Sequence, residues 1–146
     1  RAEDYDGMAA LARVSPIPLN GDESVSDIGS LLTLHRMGAV QGANIKTIKM
    51  GGVAPVAHAM TVCGAIGFNI NLACKVAEST ISAAALVQLG AIAPNLNWGL
   101  NVTNHYLAED LSAQPVQIVR GEIRVPQGPG LGVEISEERV RRYQLR

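Results

Sequence analysis

One order of segments recurs along most of the chain: a short apolar run, a polar or glycine-bearing turn, then a stretch with helical spacing. The apolar runs cover 17–19, 43–48, 68–72 and 95–101, and the helical stretches 53–66, 79–90 and the residues around Ile28, Leu31, Leu32 and His35. A repeat of about 25 to 30 residues is the length of a strand and its crossover helix, so the spacing predicts four parallel strands with three helices between them. A further helix over 5–13 precedes the first strand and ends at Ser15-Pro16. With 47% hydrophobic and only 3% aromatic residues, the composition suits parallel strands packed closely on helices and gives α/β as the fold class. The 146 residues make one domain or part of a larger one.

Such a run of β/α units closes in one of two ways, as an open doubly wound sheet or as part of a barrel. No glycine fingerprint follows the first strand, which disfavours a dinucleotide-binding sheet. In a barrel, polar residues at the C-terminal strand ends converge on one mouth.

Several partner classes are excluded by charge and hydropathy. A formal net charge of −1 with scattered Lys and Arg offers no field for a nucleic-acid backbone. Apolar stretches are interrupted well short of the roughly 18 residues of a membrane span, and no signal pattern opens the chain. Cys63 and Cys74 form no metal-binding pair, so reduced buried thiols and a cytoplasmic location are expected.

The pattern divides the chain into 1–104, the β/α units, and 105–146, a tail of different character. A short polar helix is expected through Glu109-Asp110, then strand-like alternation over 116–125, a turn at Gly128-Pro129-Gly130, and a charged segment over 137–142. The glycines at 128, 130 and 132 lack the strand-then-helix setting of a phosphate loop and read as a turn.

Polar residues at the predicted strand ends are the candidate site. Asp22 follows the first strand, Lys46 lies in the second, Cys74 and Glu78 follow the third, and Asn101 ends the fourth. Asp22 is the kind of carboxylate that a hard cation takes, or, with Ser24, a cap for a helix starting near Val25. Lys46 is unusual within an apolar strand: it either snorkels to solvent or, desolvated near positive charge, serves as a general base. Lys49 reads as a supporting or surface charge. Cys74 and Glu78 are pocket residues or a buried thiol and a helix-starting carboxylate. Asn101 is a substrate contact or a strand-end cap, while His35 and His58 read as packing or surface residues and His105 lies nearer the mouth.

The ordered set Asp22-Glu23-Ser24, then Lys46 within Ile45-Lys46-Thr47-Ile48-Lys49-Met50-Gly51-Gly52, Glu78, Trp98, and Pro129-Gly130-Leu131-Gly132 resembles the enolase superfamily, muconate-lactonizing-enzyme subgroup. The resemblance implies the C-terminal half of a (β/α)7β TIM-like barrel whose tail returns to a capping domain. It implies Asp22 as a Mg²⁺ ligand at the fifth strand and Lys46 as the acid/base lysine of the sixth. The implied chemistry is Mg²⁺-dependent removal of a proton α to the carboxylate of a small substrate, through an enediolate. The mandelate-racemase subgroup carries a histidine at the seventh strand, and 69–74 contain none.

Muconate lactonizing enzymes carry a carboxylate in the eighth strand, where this chain has Asn101; this points away from cycloisomerisation. The pattern Trp98-Gly99 with Asn104-His105-Tyr106-Leu107 is more similar to the cis-3-hydroxyproline dehydratase branch, so dehydration of a hydroxyproline-type amino acid is the expected activity. The alternatives are a racemase or epimerase of amino-acid derivatives or dipeptides, and a catalytically incomplete half-barrel serving as an assembly module. Because the resemblance also implies strands and ligands ahead of residue 1, the isolated chain is expected to need an N-terminal half or a homo-oligomeric partner.

Overall fold

A computed structural model of the protein describes residues 1–145. Helix α1 (Tyr5–Val14) starts where the Asp4 carboxylate accepts from the Gly7 N–H. Strand β1 (Asn20–Gly21), helix α2 (Ile28–Arg36), strand β2 (Gly42–Ile45) and the single helical turn α3 (Thr47–Met50) follow. Helix α4 (Val53–Ile66), strand β3 (Asn69–Ala73), helix α5 (Thr80–Ile92) and strand β4 (Leu100–Asn101) come next, then a 3-10 turn (Asn104–Tyr106) and helix α6 (Glu137–Tyr143).

All four strands are parallel and lie side by side in chain order, β1-β2-β3-β4. A doubly wound sheet reverses direction at a switch point. Right-handed crossovers that always step the same way keep every helix on one face, as in a barrel wall. The register separates the two faces. Ala43 pairs with Ile70 and Ile45 with Leu72, all fully buried with Leu31, Leu34, Val56, Met60 and Leu86 of the helices. Asn44 pairs with Asn71, and Ala73 with Asn101, on the opposite face. The apolar core therefore fills the space between sheet and helices, and amides mark the other side.

Three strands depart from their predicted spans. The first run begins pairing only at Asn20, although the Leu19 N–H already donates to Gln41 Oε1 at 2.7 Å. The second ends at Ile45, because the chain coils into α3 once Gly51 and Gly52 return their N–H groups to the Thr47 carbonyl. The fourth pairs regularly only over Leu100–Asn101: Trp98 donates to the Ile70 carbonyl while Leu72 donates to that of Gly99, whose φ of 84° makes a bulge. That bulge lets the Trp98 ring lie over Gly42 of β2.

In the tail, the helix predicted through Glu109-Asp110 does not form. The alternating residues pair only in one antiparallel bridge, Val119 with Glu122, around the positive-φ pair Arg120 and Gly121. The turn at Gly128-Pro129-Gly130 is present, closed by Gly132 N–H donating to the Pro129 carbonyl at 3.1 Å. Asp110 holds the tail to the barrel units: its buried carboxylate accepts from the Thr80 N–H at 3.1 Å and from the Thr80 hydroxyl at 2.7 Å. The Thr80 hydroxyl in turn accepts from the Val116 N–H, and Asn104 Nδ2 donates to the Val116 carbonyl.

Candidate active site

Asp22 is the first residue beyond β1 and Lys46 the first beyond β2, so both stand at C-terminal strand ends. Lys46 keeps an extended backbone (φ −126°, ψ 135°), which carries the strand's alternation one step further and places it on the face of Asn44. Its ammonium lies 2.8 Å from Asp22 Oδ1 and 3.1 Å from Oδ2. Lys49, one helical turn along α3, lies 3.0 Å from the same Oδ1 and also donates to the Asp22 backbone carbonyl. Glu23 stands further off, 3.7 Å from Lys46 and 3.9 Å from Lys49.

Exposure is uneven within this group. The Lys46 and Lys49 side chains are 12% and 17% exposed, whereas Asp22 is 44% exposed, so two sheltered cations grip an acid that opens to solvent. Partial burial pushes the Asp22 carboxyl up, but hydrogen bonds and charge from Lys46 and Lys49 outweigh it and hold the group below its ordinary range. Asp22 is thus a carboxylate at neutral pH. It does not cap a helix: α2 begins at Ile28, and Asp27 is its cap.

The other candidates do not join this pair; none shares a hydrogen bond or ion pair with Asp22 or Lys46 among the described residues. Cys74 is buried in the core, and burial first, then the Glu78 charge, pushes its thiol up to about 11. Glu78 closes its own loop by accepting from the Lys75 N–H at 2.6 Å. Asn101 is exposed at the end of β4, on the amide-lined face, and its carbonyl accepts from the Cys74 N–H. His35 packs edge-on against Phe68, with ring centroids 5.3 Å apart.

Lys49, read from the sequence as a supporting or surface charge, joins the charge group, and the signal for its helical placement is Gly51-Gly52, which ends the preceding turn. One feature lay outside the sequence reading. A concavity of about 1190 Å³ opens within the tail among residues such as Pro115, Val119, Arg124 and Val133, and neither Asp22 nor Lys46 lines it. Among the described residues no ion pair joins its walls, so contacting acid and base groups, rather than volume, locate the candidate site.

A hard oxygen-seeking cation suits the Asp22 carboxylate, yet an octahedral ion needs about six donors. Among the described residues no three His, Cys, Asp or Glu side chains converge. Asp22 is the residue that would offer an oxygen to such an ion. No helix is long and apolar enough to cross a membrane, among the described residues.

A singly wound arc of parallel strands, helices on one face and a lysine-carboxylate pair at the strand ends define a segment of a β/α-barrel. The chain belongs to the enolase C-terminal domain-like family, whose model matches residues 1–139, and its relatives place it in the muconate-lactonizing-enzyme subgroup of the enolase superfamily. It is 30% identical to muconate cycloisomerase 1 of Rhodococcus opacus over 97% of this chain and 38% of that protein. Its fold matches the crystal structure of 2-chloromuconate cycloisomerase from Rhodococcus opacus with a TM-score of 0.92 and 32% identity, over 99% of this chain and 39% of the other. Muconate lactonizing enzyme from Pseudomonas putida shares the fold at a TM-score of 0.90 and 24% identity, over 98% of this chain and 40% of that one. The chain spans about 38% of the length of the curated relatives it matches.

Proposed function

We propose that this chain is the lysine-bearing arc of a barrel enzyme that moves a proton at the carbon α to a carboxylate, on an unsaturated acid of the muconate type. The observation that carries the proposal is the contact of Lys46 with Asp22 at the C-terminal ends of neighbouring parallel strands. In a cycloisomerisation, one carboxylate oxygen of the substrate bonds to an alkene carbon, and electron density shifts to the carbon α to the other carboxylate. A proton delivered to that carbon completes the ring product, and the same group, unprotonated, removes it in reverse. Lys46 is the group placed to do this: a sheltered ammonium at the mouth, oriented by Asp22. Mg²⁺ held in part by Asp22 would supply positive charge to the substrate carboxylate. The further ligands are proposed to come from an N-terminal half or a second polypeptide.

The curated cycloisomerase relatives favour this reading and lend none of their weight to hydroxyproline dehydration. Asn101 stands at the end of β4, where it offers no carboxylate, so the reading rests the proton transfer on Lys46.

Exchange of a substrate α-proton with solvent deuterium, with Mg²⁺ present and with or without a candidate N-terminal half, tests the proposal. Lys46→Ala is expected to lower the exchange rate by about 10²-fold or more while the circular dichroism spectrum is preserved. Undiminished exchange in that variant would remove Lys46 from the mechanism.

A further inference from the structure

We infer that Lys49 is a positioning residue of this site, a clamp that fixes the rotamer of Asp22. The inference rests on the proposed role of Asp22 and Lys46, but its geometry is independent of any substrate. The Lys49 ammonium, 3.9 Å from Glu23, hydrogen-bonds Asp22 at two places, the backbone carbonyl and carboxylate Oδ1. Those two contacts close a ring across the Asp22 side-chain torsion, so the carboxylate cannot turn without breaking one. Lys46 touches the carboxylate only, and a rotating carboxylate can carry that contact with it.

The surroundings make the clamp more than a surface ion pair. Exposed pairs contribute little because two free side chains must be ordered in water. Lys49 is only 17% exposed, so its stem is already packed. The carbonyl it grips also accepts from the Val25 N–H at 2.9 Å, which links the clamp to the loop that leads into α2. On the other side, the glycines after α3 have positive φ, 90° at Gly51 and 126° at Gly52, and a Cβ at either would meet nothing within 4 Å. They supply backbone conformation, not space, and that conformation is what ends α3 after the one turn that brings Lys49 beside Lys46.

Lys49→Met, which keeps the stem and removes the charge, tests the clamp beside Lys49→Arg, which keeps a donor. The expected result for Lys49→Met is amide exchange at Val25 faster by about tenfold or more and a displaced Asp22 ¹³Cγ resonance, with amide exchange in α5 unchanged. Lys49→Arg is expected to restore both. Native Val25 exchange and a native Asp22 resonance in Lys49→Met would overturn the clamp, whatever the activity. If the native protein shows no α-proton exchange while Lys49→Met still loosens Val25 and Lys49→Arg rescues it, the clamp stands and the proposed reaction falls.

Discussion

At Gly42 the absent side chain is what lets Trp98 lie over β2: a Cβ there would overlap the indole ring and stand 2.7 Å from the Asn69 carbonyl oxygen. The ring could swing aside, but the carbonyl belongs to β3 and is fixed by the sheet. Gly42→Ala is therefore expected to destabilise the fold by about 1–3 kcal/mol. Trp98 is the only tryptophan, so its emission should shift to the red as the ring leaves the amide-lined face. Native emission together with a native urea midpoint would contradict this packing. At the same scale, Asp22 and Lys46 were legible in the sequence because polar residues stand out at the ends of apolar runs. Lys49 was legible only as a supporting or surface charge, not as a neighbour of Lys46: a strand continued through Ile48 puts residues 46 and 49 on opposite faces, whereas a helical turn after Lys46 brings them to the same side.

Among the elements, α2 has the most local start. Asp27 accepts from the Ser30 N–H at 2.7 Å, and Ser30 Oγ accepts from the Asp27 N–H at 3.1 Å, a reciprocal capping box. The bond from the Ser30 backbone, above all, holds the Asp27 carboxyl below its ordinary value of 3.8. A depressed folded-state value means that the cap contributes fully above 3.8 and loses its contribution as pH falls through the lower, folded value. Asp27→Ala is expected to cost about 1 kcal/mol near neutral pH, and the gap to the native protein should narrow as urea midpoints are followed down to about pH 2. A gap that stays constant would separate the cap from the carboxylate's charge. The ends of α1 and α4 were readable, since Pro16 and Gly67 stop them where a proline or a left-handed glycine must. The cap of α5 was hidden: Ser79 stands in the cap position without a side-chain bond, and Asp110, 30 residues on, takes the Thr80 N–H instead.

Across the whole molecule, periodicity showed parallel β/α units but could not choose between an open sheet and a barrel; the order of the strands decides it, and that order depends on which strand each crossover returns beside. The arc that results has two edges. Among the described residues the outer strands β1 and β4 each pair with a single neighbour. The protein exposes 8791 Å², against about 7,200 Å² expected of a compact monomer of this mass. The excess of about 1,600 Å² is comparable to the total area buried in a standard interface. Part of it belongs to the tail, but Leu11, Val14 and Ile17 contribute apolar surface around α1 and the approach to β1. Unpaired strand edges beside apolar surface favour association, so sedimentation at increasing concentration should show self-association of the chain. A monomer with a compact hydrodynamic radius at every concentration would contradict that expectation. Asp22 and Lys46 stand at the ends of β1 and β2, the edge side of the arc, so a strand added beside β1 would bring its own residues next to the Asp22 carboxylate and the two lysines already in contact with it.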